Sequence, residues 1–543
     1  MDLTSRPWYR FRPPGRPLRI GVLADSAGIA RWLASTVASV VQLPDVEIVD
    51  WFVLPPRNSP DAPAPWLFRK FAAWSRSGAP DDFALSSDLP PQADRHELHG
   101  GPDAPLAAAD RDLIRSRELD VLWCATRLPL SGNCAGLARW GVWRFLLGEP
   151  EFAVYQPPYW REVYQDRSVS RCLLLAHPER FERGCVVDSF AMPTVASLHF
   201  ERNASAALQA AGPSLVRTLW KAADWGTAPC GGQELVLAAA PPRWPSSTET
   251  LAFACRGLGR SAALFARSYG RSIIWVVAIR PASGGVDYSN VAQGAPFREI
   301  AAPPGHYYAD PFLVESESRH WLFVEDWVQR NGRGCLTCME VRDDGSVGEP
   351  AVILEKPYHL SYPHVFRHGA DYFMIPETCD DCTVQLYRAT RFPHQWTLEA
   401  VLSQGAGLAD TTPLLYDGVW YFFTSTGVPP QEAYLFTADR LDGRWRYHPA
   451  NPIGSDTRNL RGAGAIAAGG GVLVRPAQDG SQGYGYAMTF NEIVRLSPTE
   501  FQERPVGKLL PTWAPGLSAT HTFNSDSRYE VVDGLKAMIR RKS

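Results

Sequence analysis

The chain has 543 residues, with 54 basic and 57 acidic side chains, a formal charge of −3 and 45% hydrophobic content. That length predicts two or three domains. The near-neutral balance gives no reason to expect nucleic acid as the partner, because phosphate binding needs a basic stripe.

The first 17 residues are rich in Pro and Arg and lack the apolar centre of a signal peptide. No run reaches the roughly 18 apolar residues of a membrane-crossing helix. The expectation is a cytoplasmic protein whose ten Cys are reduced thiols. RIGVLAD (Arg19–Asp25) reads as a buried strand, SAGIARWLASTVASVVQ as a helix capped by Ser26, and VEIVDWFVL (Val46–Leu54) as a second buried strand. Together they predict a βαβ unit of a parallel sheet. Pro55–Pro105 reads as loop with one aromatic helix near Trp66–Trp74, and LDVLWCAT (Leu119–Thr126) as another strand. Residues 18–232 are therefore expected to form an open α/β domain. Residues 233–271 read as a linker followed by an Ala-rich helix over Thr250–Ser268.

Residues 272–534 change character, to short strands separated by Gly, Asp, Asn and Pro. ADPFLVESESRHWLFVEDW (Ala309–Trp327), SYPHVFRHGADYFMIPETC (Ser361–Cys379) and ADTTPLLYDGVWYFFTSTG (Ala409–Gly427) repeat one pattern. Each runs polar cluster, Pro, apolar strand, turn, aromatic strand, polar end. Pro311, Pro363 and Pro413 mark it at intervals of about fifty residues. Weaker copies lie at Gly462–Asp479 and His521–Gly534. Five copies predict a five-bladed β-propeller closed by the strand around Ile273–Ile279, because closure removes exposed strand edges. Inner strands are expected to begin near Asp310, Tyr362, Thr412, Gly464 and Thr522. The basic tail 535–543 reads as a frayed end or a short amphipathic helix suited to weak peripheral membrane contact.

In such a ring the start of each inner strand and the end of the next open on one face, around the axis. This places Asp310, Asp410 and Glu377 as candidate catalytic residues. Tyr308, Glu325, Asp326, Tyr362, His364, Arg461 and Asp479 are the candidate substrate-binding residues. Each has a plain structural alternative, such as a turn Asp before Pro or an ion-paired Arg. Cys335-x-x-Cys338 and Cys379-x-x-Cys382 have zinc-like spacing. The first pair lies in a strand, where residues i and i+3 point to opposite faces, so buried thiols are expected and no metal or other cofactor.

Tyr308-Ala309-Asp310-Pro311-Phe312 resembles the first-blade start of five-bladed family 43 glycosidases and their invertase relatives. The resemblance implies a base or nucleophile at Asp310 and an acid near Asp410, with Tyr362 standing where a second-blade Asp is expected. SYPHVF, IPET, DTTPLLYDG and WYFFT, within residues 295–510, are similar to the propeller region of plant glucosamine inositolphosphorylceramide transferases and their bacterial relatives. Residues 18–230 resemble the formyltransferase fold through GVLADSAGIARWLASTV and LDVLWCATRLPLSGNCAGLARWGVWRF. The catalytic His of that family is missing from Trp143–Glu149, so the domain is expected to be degenerate. These readings imply a glycan-active enzyme, by glycosyl transfer or glycoside hydrolysis, in a cytoplasmic step of surface polysaccharide or glycolipid assembly. Its partner would be a carbohydrate or sugar-nucleotide substrate. The alternatives are a non-catalytic glycan-binding scaffold, or a formyl- or acyltransferase acting on a sugar nucleotide through the N-terminal half.

Overall fold

The computed structural model describes the chain except for residues 1–15, 26–28, 42–45, 56–63, 77–84, 87–92, 101–104, 127–131, 154, 231–233, 238–242, 269–270, 283, 428–430, 470 and 540–543. Two compact units divide at Ala263 and Leu264.

The first unit is built on one eight-stranded sheet. Asp94–Glu97, Val46–Leu54, Leu18–Asp25, Val121–Cys124 and Val142–Leu147 lie side by side and parallel. Val169–His177, Arg183–Pro193 and Glu234–Val236 continue the sheet antiparallel. The apolar runs become central strands because both their faces are covered. Leu33, Val37 and Val40 of helix Arg31–Val41 and Leu215, Val216 and Leu219 of helix Glu201–Trp225 share one core with Val22, Trp51 and Trp123. The expected cap Ser26 lies outside the described residues. The segment expected to carry a formyltransferase His is the buried strand Val142–Leu147, and the likeness to that fold rests on the sequence phrases alone. The expectation of ten free thiols is corrected at one pair, since Cys185 and Cys230 are joined by a disulfide. No helix among the described residues is long and apolar enough to cross a membrane.

The second unit is a five-bladed β-propeller. The first blade is His306–Ser316, Arg319–Val328, Arg333–Val341 and Ala351–Leu354, counted outward from the axis. The second is Ser361–His368, Asp371–Thr378, Thr383–Arg391 and Gln395–Gln404. The third is Leu408–Tyr416, Val419–Thr426, Ala433–Ala438 and Arg446–Tyr447. The fourth is Ala467–Gly469, Val472–Asp479, Ala487–Leu496 and Phe501–Leu509.

The fifth blade takes strands from both ends of the unit. Leu517–Ala519 and Phe523–Ser525 pair with Tyr529–Ile539, which pairs with Arg271–Pro281, which in turn pairs with Arg298–Ile300. Arg271–Pro281 is thus the expected closing strand. The tail is corrected: through Ile539 it is a paired strand, and Lys536 forms an ion pair with Glu299. The ladder that seals the ring leaves no free amphipathic helix over 535–539.

Candidate functional site on the propeller axis

The inner strands of the first three blades share a local irregularity. Asp310, Tyr362 and Asp410 have φ of +48°, +47° and +52°. At each of them the register with the second strand breaks. A non-glycine residue in the left-handed region costs on the order of 1–2 kcal/mol. Three such residues at matching places in three blades mark a constraint on the ring, and each bulge re-aims one side chain. The next residue is Pro311 and Pro363 in two blades but Thr411 in the third, so Pro413 is not the structural counterpart of the other prolines. One residue before each bulge, Ala309, Ser361 and Ala409 pair with Glu325, Glu377 and Ser425 of the second strands. Blades one and two therefore bring a Glu beside the axis where blade three brings a Ser.

Asp310 is held from three sides. Thr522 Oγ1 donates to its Oδ1 at 2.6 Å and the Tyr362 N–H to its Oδ2 at 3.1 Å. Its own N–H donates to Asp533 Oδ2 at 3.1 Å. His521 Nδ1 stands 2.6 Å from Asp533 and 3.6 Å from Asp310. Burial and the neighbouring Asp533 and Asp410 outweigh His521 and raise the Asp310 carboxyl to about 6. His521 is raised in turn: burial opposes its charge, but Asp533 and Asp310 more than offset that. Asp310, His521 and Asp533 offer ligand atoms within 4.8 Å of one another, close enough for a metal ion, as do Asp50, Asp94 and His96 in the first unit.

Across the axis, Arg461 Nε donates to Asp410 Oδ2 at 2.7 Å and its Nη2 to Glu377 Oε2 at 3.0 Å. Gln478 adds a bond to Asp410 at 3.2 Å. Burial raises Asp410, yet Arg461 holds it below the ordinary carboxylate range, whereas burial and Asp410 push Glu377 well above it. The two carboxyls thus differ in acidity, Asp410 the stronger acid and Glu377 the weaker. Arg461 gets there because the next residues are small. A Cβ at Gly462 would lie 2.8 Å from the Asp410 carbonyl and from the Tyr362 hydroxyl. At Gly464 it would fall 2.1 Å from the Phe523 carbonyl. The Tyr362 hydroxyl fills that space, donating to the Gly464 carbonyl and accepting its N–H, both at 3.0 Å, 2.8 Å from Thr412 Oγ1.

Accessibility separates these groups. The side chains of Asp310, Asp410 and His521 are 7%, 3% and 2% exposed, while Glu325, Glu377 and Arg461 keep 13%, 13% and 14%. A ligand on the open face would therefore meet the second group first. Above it stands Tyr484, itself exposed, with its ring 5.2 Å from the Arg461 guanidinium. Trp275 of the closing strand stacks on His521 at 3.9 Å. Aromatic faces next to a polar axis suit a sugar ring.

The expected residues thus divide. Asp310, Glu325, Tyr362, Glu377, Asp410 and Arg461 converge on the axis. Tyr308 lies in the apolar cluster with Val277 and Val324. Asp326, the next residue after Glu325, takes the opposite face of its strand, where it meets His306 at 2.8 Å and Thr337 at 3.2 Å. His364 is buried among Phe312, Tyr362 and Phe366, and burial lowers its imidazole to about 3. Asp479 accepts the Ser481 N–H at 2.8 Å and pairs with Lys508 at 2.5 Å, anchoring the turn before Tyr484. Cys335 lies against the Asp326 backbone and Cys338 in the apolar cluster of Phe323, while Cys382 is exposed. Sequence reasoning passed over His521, Thr522, Asp533, Gln478, Trp275 and Tyr484. His521-Thr522 at the head of the weakest repeat was the available signal.

Residues 290–521 match the family described as "Glucosamine inositolphosphorylceramide transferase 1, N-terminal". The rice protein (Oryza sativa subsp. japonica) named glucosamine inositolphosphorylceramide transferase 1 is 34% identical over 211 residues, covering 37% of this chain and 28% of that protein. Its namesake from Arabidopsis thaliana is 30% identical over 208 residues, covering 37% and 27%. The chain thus spans little more than a quarter of the length of the curated relatives it matches. Among solved structures, a family 117 glycoside hydrolase of Zobellia galactanivorans aligns with a TM-score of 0.31 at 13% identity, covering 48% of this chain and 90% of that one. The β-xylosidase RS223 aligns at 0.32 and 13%, covering 43% and 92%.

Proposed function

We propose that the propeller is a glycan-active enzyme whose active site is the axial pocket, with Asp310, Asp410 and Glu377 as its catalytic carboxyls. One observation carries this reading: three strained inner-strand residues deliver two carboxylates and a tyrosine to one axis, where Glu325, Glu377, Arg461 and His521 join them. Carboxyls held at different acidities on one axis are what splitting acid and base roles requires. The match to a family named as transferases over glucosamine and inositolphosphorylceramide supports glycosyl transfer over hydrolysis. The proposed setting is a cytoplasmic step of surface polysaccharide or glycolipid assembly, with a carbohydrate or sugar-nucleotide substrate.

A non-catalytic glycan-binding role is the second reading. It is favoured by the closed network around Asp410, whose Oδ2 is already engaged by Arg461 and Gln478. Incubating the full chain with labelled sugar nucleotides and with furanosides, followed by product analysis, separates the two. Turnover that disappears in Asp310→Asn supports the enzyme. Saturable binding without turnover, unaltered in that variant, supports the binder.

A further inference from the structure

We propose that Glu325 is the group that gives its proton to the departing sugar oxygen in this pocket, and that His359 is its positioning residue. The proposal rests on the glycan-active reading of the axis. Glu325 is set apart from the other axial carboxyls by what it lacks. Asp410 and Glu377 share Arg461, and Asp310 is held by Thr522, Tyr362 and His521. The Glu325 carboxyl accepts no hydrogen bond among the described residues, and His359 Nε2 stands 3.7 Å from its Oε1.

The state of His359 follows from its other nitrogen. The Gly334 N–H donates to His359 Nδ1 at 2.9 Å. Nδ1 therefore carries a lone pair and the ring proton sits on Nε2, the nitrogen that stands 3.7 Å from Glu325 Oε1. A second proton would have to displace the Gly334 bond, and burial also disfavours it, against the pull of Asp380. His359 is thus a neutral donor rather than a cation, fixed further by packing against Trp327 at 5.5 Å. Gly334 completes the arrangement: a Cβ there would lie 2.6 Å from the Leu360 carbonyl, 2.8 Å from His359 Cε1 and 3.0 Å from Glu325 Oε1.

Most of the groups facing Glu325 favour its acid form. Asp310 of its own blade, Glu377 of the second, Asp410 of the third and Asp533 of the fifth are carboxyls. The two axial cations, Arg461 and His521, oppose this, but each is already paired with two of those carboxyls, and the near neighbour of Glu325 among the described residues is the neutral His359. Burial is the larger influence, and with these carboxyls it holds the Glu325 carboxyl well above the ordinary range. As the glycosidic C–O bond breaks, its electron pair takes the Glu325 proton and the leaving group departs as an alcohol. The attacking hydroxyl forms the new C–O bond and passes its proton to the Asp310 carboxylate. Exchange with solvent then returns Asp310 and Glu325 to their starting states. A neutral N–H at Nε2 steadies the Glu325 carboxylate formed in between.

The test uses full-length Glu325→Gln, His359→Phe and His359→Gln, with alkyl and 4-nitrophenyl glycosides as probes. An alkoxide leaving group needs the proton and a nitrophenolate does not. Glu325→Gln should lose at least about 100-fold in kcat/KM on alkyl glycosides and under about 10-fold on nitrophenyl glycosides. His359→Phe should move the basic limb of the pH profile upward, and His359→Gln, which restores a donor, should return it. Equal losses on both probes, or an unmoved profile, would overturn the proposal. If the wild type turns over neither probe, the glycan reading is in question but the pair is still decided by spectroscopy. Infrared difference spectra at pH 7 should show one protonated carboxyl missing in Glu325→Gln, and ¹⁵N spectra a neutral Nε2–H imidazole missing in His359→Phe. An ionised Glu325 or a cationic His359 would overturn it independently.

Discussion

Arg461 sets the charge state of its surroundings by standing between Asp410 and Glu377. Replacing it with Met leaves the Asp410 carboxylate buried without its cation. The expected cost is about 3 kcal/mol, read as a lowered denaturant midpoint for the propeller. His521 plays the matching part between Asp310 and Asp533. Its pKa is raised in the fold above an unfolded value near 6.5, so its stabilisation is fully present below about pH 6.5 and is lost as pH climbs through the folded value. Asp310, raised to about 6, acts in the same direction: the folded state binds the proton more tightly, so stability falls as pH rises from about 4 past 6. Thermal unfolding should therefore show a decline toward alkaline pH that His521→Gln flattens. An identical pH dependence in that variant would show that His521 is not charged in the fold. These residues were only half legible in sequence. Asp310 stood out beside Pro311, whereas His521 and Asp533 act through a fifth blade assembled from distant segments, and spacing within one repeat cannot show that.

At the scale of the strand, the bulge at Asp310, Tyr362 and Asp410 explains why the polar clusters sit where they do. Aspartate and asparagine tolerate the left-handed region better than other side chains, and β-branched residues tolerate it worst. Asp310→Asn should therefore fold with a melting temperature close to the wild type, while Asp310→Val should lose about 2 kcal/mol or more. Circular dichroism melts of the two variants check this, and equal melts would mean that the bulge relaxes freely. The repeat could be read in advance because alternation and aromatic strands recur at a fixed interval. The bulge could not, since it is a break in pairing and leaves no periodic trace. This is also why Asp326, adjacent to Glu325, was expected at the axis: alternation sends one of two neighbours inward, and the ladder's register decides which.

At the scale of the molecule, the propeller is closed by pairing Arg271–Pro281 with Tyr529–Ile539 along their whole length. Removing residues 529–543 would expose a long, flat edge strand. The shortened chain should lose its cooperative propeller transition and associate on a sizing column. A monomer with an unchanged melt would show that the ring holds without its seal. The five-fold repeat and the closing strand were legible from composition and spacing, because a strand-rich chain must bury its edges. The basic look of the tail was misleading over residues 535–539: a lysine such as Lys536 is compatible with a ladder, where it pairs with Glu299, and composition alone does not distinguish a frayed end from a paired one.

Whether the axial pocket performs the proposed chemistry on a sugar is tested most directly by steady-state kinetics of Asp310→Asn on the substrate found by screening. The expected result is a loss of about 100- to 10,000-fold in kcat with binding of the same ligand retained, because the missing charge acts in the transition state. Wild-type turnover in a folded Asp310→Asn protein would contradict it.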